Sequence, residues 1–494
     1  MRNLNKTVSY MLYVPVLFFT ASCNFLNVEQ TGKQDIPSFF SDALSLEVAV
    51  NGIYNLTYAY YDTYAILYPE VTGDLIRLSP TLTSWVEQFN FSSAETEETS
   101  PVGYIWKDGY EIINNANMII YYGPNVRNRY PQQEERINNA IAQAYFLRGL
   151  IELNIVLAYS QSYGYTADAS HLGVVVLERA PSLNDQLSRT SCFNTYQQIL
   201  NDISTAKDLL SDSQADVHFA TKAACDALLA RVYLYMGDYS SAAAYAEDVI
   251  SDYGLSLTPY GEYTDMFCSV APDSPEEILR LDGTRLAVNL RAMFDYMTPA
   301  MYPSQKLLDI FEEDRDPSHP DIRESLLSYE IVSEDDPSEI SRYEGVCMKY
   351  TVTEEGVADD NSHYDPFVLR LSEMYLIRAE ANCALGNLDE AAEDIMVLQS
   401  RATGIAKEDI VLTYSDAAEL DAIIQRERMK ELFLEGHRLY DITRRKENLE
   451  RDASCGSTVL TVEYPDDRFI LPIPLVELDA STLMQPNPIN ATQR

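Results

Sequence analysis

The sequence predicts a mainly α-helical protein in which helical hairpins form a scaffold and long irregular inserts form one working face. Three observations carry this. Most of the 494 residues show apolar side chains at helical spacing. Two distant stretches repeat one helix–Gly–helix scheme. The intervals between helices are rich in Pro, Gly, Ser, Tyr and acidic residues, which suit irregular chain.

The chain begins with Arg2 and Lys6, then a mostly apolar Val8–Phe19, then Ala21, Ser22 and Cys23. A basic start, a short apolar stretch and small residues are the signature of a cleaved signal peptide, here residues 1–22. Cys23 falls where a bacterial lipoprotein is acylated on its first mature residue, although Thr20 stands where Leu is common. Several acyl chains give an anchor that one would not. Beyond it, no stretch is expected to cross a membrane.

Helices are predicted over Ile112–Tyr122, Gln132–Tyr159, Phe193–Leu210, Thr221–Met236, Tyr239–Tyr253, Phe367–Leu385, Leu388–Ala402 and Ala417–Lys446. Gly237 and Gly386 end the first helix of two similar pairs, where glycine permits a left-handed backbone. Ala242 and Ala391 follow at matching places and let the second helix approach closely. The scheme resembles the tetratricopeptide hairpin. The copies lie far apart, so an interrupted array is expected. Asp62–Gly103 and Leu255–Asp365 read as irregular, and such lengths of irregular chain are usually functional. Residues 468–475 read as extended, since Pro472 and Pro474 prevent helix.

Thirty-six Lys+Arg against 76 Asp+Glu give a net charge of −40. Such a surface repels phosphate backbones, so nucleic acid is excluded as a partner. An anionic lipid surface is equally unfavourable, and attachment must come from acyl chains. Cys192, Cys225, Cys268, Cys347, Cys383 and Cys455 form no C-x-x-C pair. Cys225 and Cys383 read as small buried residues, and disulfide pairing stays open.

No phosphate-binding loop, nucleophile elbow or H-E-x-x-H motif is present, and the five His residues are mutually distant. Glu427, Glu431 and Glu435 share one helix face and could serve glycoside cleavage. Arg428, Lys430, Arg438, Arg444 and Arg445 interleave with them, so ion pairing such as Glu435–Arg438 and Asp441–Arg445 is the expectation. The protein is read as non-enzymatic and without a cofactor. Asp359–Asp365 is oxygen-rich but lacks the EF-hand spacing, so a solvated loop is expected there rather than Ca²⁺.

Several motifs, in order, resemble the SusD/RagB family of outer-membrane nutrient-binding lipoproteins. Cys23-Asn-Phe-Leu-Asn-Val-Glu-Gln is similar to the family's start, and Trp106–Ile120 to its first long helix. Thr221–Tyr239 is similar to its first clear hairpin. Arg370, Glu373, Ala379, Glu380 and Gly386 resemble one family pattern; Glu427, Arg428, Glu431, Glu435, Gly436, Arg438, Asp441 and Arg444 resemble another. Leu471–Glu477 and Gln485–Pro488 resemble its closing segment, where the family usually reads Gln-Asn-Pro.

The resemblance implies a SusD-like α-α superhelix as one unit, residues 23–494. An N-terminal region, 23–210, is followed by a C-terminal region, 211–494, with an insert at about 255–365. It implies an anchor on the outer face of the outer membrane and a SusC-like TonB-dependent transporter as partner. It also implies capture of oligosaccharides without catalysis. Peptides, another nutrient or protein partners alone are the alternatives on the same scaffold. Aromatic rings stack on sugar faces at low entropy cost. Trp85 is the leading candidate, with Asp74 and Arg77 as hydrogen-bonding partners. Phe294, Tyr296 and Tyr302 form a second group, while Trp106 reads as core.

Overall fold

The structure is a computed structural model that describes residues 36–94, 100–182, 184–269, 274–283, 289–332, 340–351 and 364–489. The signal peptide and Cys23 lie outside the described residues, as does Asp359–His363. Met1–Ser41 and Asp42–Arg494 form separate units, and the first contributes only the short helix Ile36–Phe39 here.

Helices of seven residues or more are labelled in chain order. Helix α1, Ala43–Tyr60, starts at a capping box made by Asp42 and Ser45. Helix α2, Pro101–Arg129, is capped by Ser100 with Pro101 in its first turn. It exceeds the predicted Ile112–Tyr122 and continues through Pro124. Helix α3, Glu134–Tyr159, packs between α2 and α4, Cys192–Leu209. By length and composition α3 could cross a membrane, contrary to expectation. Its most apolar window is 83% buried, which makes it the core helix instead.

Helices α5, Lys222–Met236, and α6, Tyr239–Asp252, form the first predicted hairpin, closed by Gly237 at φ 74°. Helix α7 is Gln305–Glu313. Helices α8, Leu371–Leu385, and α9, Leu388–Thr403, form the second hairpin, closed by Gly386 at φ 87°. Ala242 and Ala391 are fully buried. The hairpins are distant in sequence but adjacent in space, because α6 packs on α8. Helix α10, Ala417–Leu432, completes a core of Leu376, Ile395, Leu398, Leu420 and Ile424.

Two predicted helices need correction. Phe367–Arg370 is a strand, and α8 begins only at Leu371. Ala417–Lys446 is two helices, because the chain leaves α10 at Phe433 and re-enters helix in α11, Arg438–Arg444. Leu434 and Gly436 take positive φ at the break. The Glu70 carboxylate accepts the Gly436 and His437 N–H groups at 2.9 and 3.0 Å. A Cβ on Gly436 would also lie 3.0 Å from the Ala65 carbonyl oxygen, so glycine fits on both counts.

The strands of three residues or more are β1 (Ile76–Leu78), β2 (Glu277–Arg280), β3 (Met301–Pro303), β4 (Ser328–Val332), β5 (Ile340–Glu344) and β6 (Phe367–Arg370). They pair antiparallel as β1–β3, β2–β6 and β4–β5. The irregular inserts are therefore fastened by two-stranded ribbons, which are marginal alone.

A buried ionic network fastens them further. Glu431 is fully buried, and its carboxylate accepts from Arg370 at 2.5 Å, Arg401 at 2.5 Å and Arg323 at 3.1 Å. Arg370 and Arg401 also reach Glu276 beside β2. Glu435 accepts from Arg370 at 2.8 Å and Lys349 at 2.5 Å. The carboxylates at 427, 431 and 435 are thus paired, as the interleaved cations suggest, but with partners from other elements. Glu435 lies in the break, so its expected partner Arg438 turns to Asp74, while Asp441 accepts from Arg428 and Arg444. Cys192, Cys225, Cys268, Cys347, Cys383 and Cys455 are free and buried.

Removing one member of such a network leaves charges buried without a partner. Glu431→Ala is expected to cost about 3–5 kcal/mol in denaturant unfolding; a loss under about 1 kcal/mol contradicts this role.

The network also sets the acid limit. Burial alone raises the carboxyls of Asp74, Glu380 and Glu435, but neighbouring cations overrule it and hold each at about 2. A carboxyl depressed in the fold stabilises it above the unfolded value of about 4 and loses that contribution as pH falls. Glu70 runs oppositely: burial pushes it up to about 7, so its contribution falls as pH rises. Melting temperature is expected to hold between pH 7 and 5 and to drop steeply between about 4 and 2. A flat profile down to pH 2 contradicts the assignment.

Candidate functional site

The segment from Asn289 to Pro303 builds an exposed corner of the inserts. Its base is Asp62, whose carboxylate accepts the Asn289 and Leu290 N–H groups at 3.1 and 3.2 Å. Phe294 is fully buried and stacks on Tyr350 with centroids 5.5 Å apart. Asp295 then shapes a turn by accepting the Met297 and Thr298 N–H groups at 3.0 and 2.8 Å. Past the turn the chain enters β3, which pairs with β1 in the register Arg77 to Tyr302.

Tyr296 is half-buried on this turn and meets two more tyrosines. Its ring centroid lies 4.6 Å from that of Tyr329 at 60° and 5.4 Å from that of Tyr343 at 78°. Tyr329 and Tyr343 face each other across β4 and β5. All three are partly exposed. The angles make an aromatic corner, with ring faces in two directions and hydroxyls at the edges. Burial first, then Tyr329, raises the Tyr296 phenol, so it stays neutral at physiological pH.

Arg77 and Tyr302 form the neighbouring polar element. The guanidinium carbon lies 4.1 Å from the ring centroid, a cation–π contact that covers one face of Tyr302. Beneath them, Asp74 accepts from Arg438 at 2.6 Å and Lys306 at 2.6 Å. The Ser304 hydroxyl donates to the Asp74 carbonyl at 2.9 Å.

Of the residues expected to bind ligand, Tyr296, Tyr302 and Arg77 lie at the surface of this region. Three do not. Asp74 is 1% exposed with its carboxylate held by two cations, so it supports the ribbon from below. Phe294 is core. Trp85 is 5% exposed, in a left-handed backbone at φ 65° before the short helix Val86–Phe89. Its ring points inward and cannot stack on a ligand in this conformation. Trp106 is core as expected, edge-on to Tyr159 at 5.0 Å. Tyr329 and Tyr343 were missed by sequence reasoning. Their signal is two β-forming runs, each with one Tyr, flanking an acidic stretch.

The carboxylates that might have served catalysis are locked in ion pairs: Glu427 with Arg323, Glu431 with three guanidiniums, Glu435 with Arg370 and Lys349. Among the described residues, no group of three or more His, Cys, Asp or Glu is placed to hold a metal ion.

Comparison with known proteins places this geometry. Residues 320–489 match the profile of the SusD family, and residues 24–234 match one described as starch-binding associating with outer membrane. The SusD-like protein P2 of Formosa agariphila is 25% identical over 514 residues, covering 96% of this chain and 98% of that protein. A putative sugar binding protein of Bacteroides vulgatus superposes with a TM-score of 0.77 at 23% identity, covering 91% of this chain and 98% of that one. A SusD superfamily protein of Bacteroides thetaiotaomicron superposes at 0.75 with 25% identity, covering 90% and 100%. Two matched profiles at opposite ends of the chain, one end-to-end relative and one shared helical fold agree: the chain belongs to the SusD/RagB family.

Proposed function

We propose that this protein is a cell-surface, carbohydrate-binding lipoprotein of the outer membrane that captures oligosaccharides and hands them to a TonB-dependent transporter. It binds without turnover. The family membership carries the reading, supported by the relative described as sugar binding and the profile described as starch-binding. The aromatic corner supplies the chemistry: ring faces for sugar C–H faces, phenol hydroxyls for sugar hydroxyls. Arg77 and Tyr302 extend it with guanidinium donors.

Anchoring rests on Cys23. Residues 24–234 match the outer-membrane profile, which starts one residue after it. Acyl chains suit a protein whose charge of −40 offers no attraction to an anionic leaflet.

Tyr296→Ala and Tyr343→Ala are each expected to weaken retention in polysaccharide affinity gels about tenfold, the scale of one lost aromatic contact. Their circular dichroism and melting temperature should match the parent. Trp85→Ala should do the reverse, costing about 3–5 kcal/mol of stability as a buried-ring deletion. Unchanged retention of both tyrosine variants, across gels of starch, laminarin and xylan that retain the parent, sinks the assignment of the corner.

Cys23→Ala should move the protein from the membrane fraction to the soluble fraction. Recovery of the variant in salt-washed membranes at the parent level overturns the anchor.

A further inference from the structure

One cleft shares no lining residue with the aromatic corner. It holds about 500 Å³ between the Asp314–Arg323 segment and the chain that follows α9, with Arg323, Glu427 and Lys430 on its floor. One wall is Ile410–Thr413.

That wall has the character of a strand without a partner. Its sequence, Ile410-Val-Leu-Thr-Tyr414, is rich in β-forming residues. Burial alternates along it: Val411 is 83% exposed and Thr413 is exposed, while Leu412 and Tyr414 pack on the core of α8, α9 and α10. Period-two alternation with one face on a core is the habit of an edge strand. Among the described residues, no backbone–backbone hydrogen bond involves the N–H or C=O groups of residues 411–414. An exposed row of unpaired main-chain groups beside an aliphatic side chain is a template for strand addition.

The charge of the cleft selects among added strands. Its lining carries five carboxylates and three Lys or Arg cations. Each cation already has a partner: Arg323 pairs with Asp321 at 2.7 Å and Glu427 at 2.5 Å, Arg426 with Glu313 at 2.9 Å, and Lys430 with Asp314. Asp316 and Asp409 add negative charge at the rim, so a cationic side chain is favoured and an acidic one repelled.

We propose that Ile410–Tyr414 captures an extended peptide by main-chain pairing, and that this cleft prefers peptides alternating aliphatic with basic residues. The inference stands apart from carbohydrate binding, because it shares none of the residues of the aromatic corner.

The test uses the full mature chain and fluorescein-labelled eight-residue peptides read by anisotropy. One peptide alternates valine with lysine and threonine; a second carries glutamate for lysine; a third is the lysine peptide N-methylated at alternate residues, which removes main-chain donors. The lysine peptide is expected to bind at least tenfold more tightly than either control, and to weaken at least tenfold with Val411→Pro, which removes a main-chain donor, and with the double change Asp316→Asn and Asp409→Asn. These sites are at the rim, and an unchanged melting curve confirms the fold. Equal binding of the lysine and glutamate peptides, indifference to N-methylation, or no effect of Val411→Pro overturns the proposal. Occupation of the cleft by maltoheptaose rather than by peptide, read from displacement of the label, overturns it as well.

Discussion

The constraint on which the rest depends is the burial of Glu431. A carboxylate without solvent is tolerated only if cations and hydrogen bonds replace the water it gave up. Three guanidiniums do so here, from α9, from the end of β6 and from the insert before β4. Each of those arginines is itself buried and needs the carboxylates around it. The parts can therefore be assembled in one arrangement but not readily in part. Helix packing alone would allow the insert to slide over its apolar neighbours. The fixed forks of Arg370 and Arg323 do not, because each must meet its acceptors at one distance and angle.

The same network explains how marginal ribbons carry a site. The hairpin of β4 and β5 is preceded by the turn Ile322–Leu327, which holds Arg323. Arg323 is 1% exposed and tied to Glu427 and Glu431. The hairpin that presents Tyr329 and Tyr343 is thus pinned at its root to α10. On the other side, Asp74 performs the equivalent task for the β1–β3 ribbon through Arg438 of α11 and Lys306 of α7. The break between α10 and α11 is what aims Arg438 at Asp74, and Glu70 holds that break. The exposed rings stand on buried charge, and a defect in the charges should loosen the rings before it unfolds the helices.

What was legible in the sequence follows from how local each signal is. The hairpins at Gly237 and Gly386 were readable because a left-handed helix end and a small contact residue are local demands. Helix α1 was also legible, through Asp42 and Ser45 and the spacing of Leu46, Val50, Ile53 and Tyr54, although it was not assigned. The break after Leu432 was not legible, since its cause, Glu70, lies more than 360 residues away. Partner choice failed for the same reason: Glu435 and Arg438 have helix spacing but do not share a helix. Trp85 shows the limit for loops. A ring in a polar segment reads as exposed, yet the backbone at φ 65° turns it inward. The scaffold was thus largely readable, while the site was readable only in Arg77, Tyr296 and Tyr302.

The charge of −40 acquires a local meaning from the structure. Among the described residues, 11 of 31 Lys and Arg are buried, against 14 of 62 Asp and Glu. The interior takes a larger share of cations than of carboxylates, so the exterior is more acidic in proportion than the composition. At physiological ionic strength exposed charges are screened beyond about 8 Å. The overall value therefore governs solubility and long-range repulsion, but not what a given patch binds. At the aromatic corner the charges of opposite sign roughly balance, Asp295 and Arg291 beside Tyr296 and the Arg342–Glu330 pair beside Tyr329 and Tyr343, which suits a neutral or weakly charged ligand. At the cleft below Ile410–Tyr414 every cation is already paired, and the excess is acidic. One surface can then hold two sites of different selectivity, because within a screening length the local residues decide.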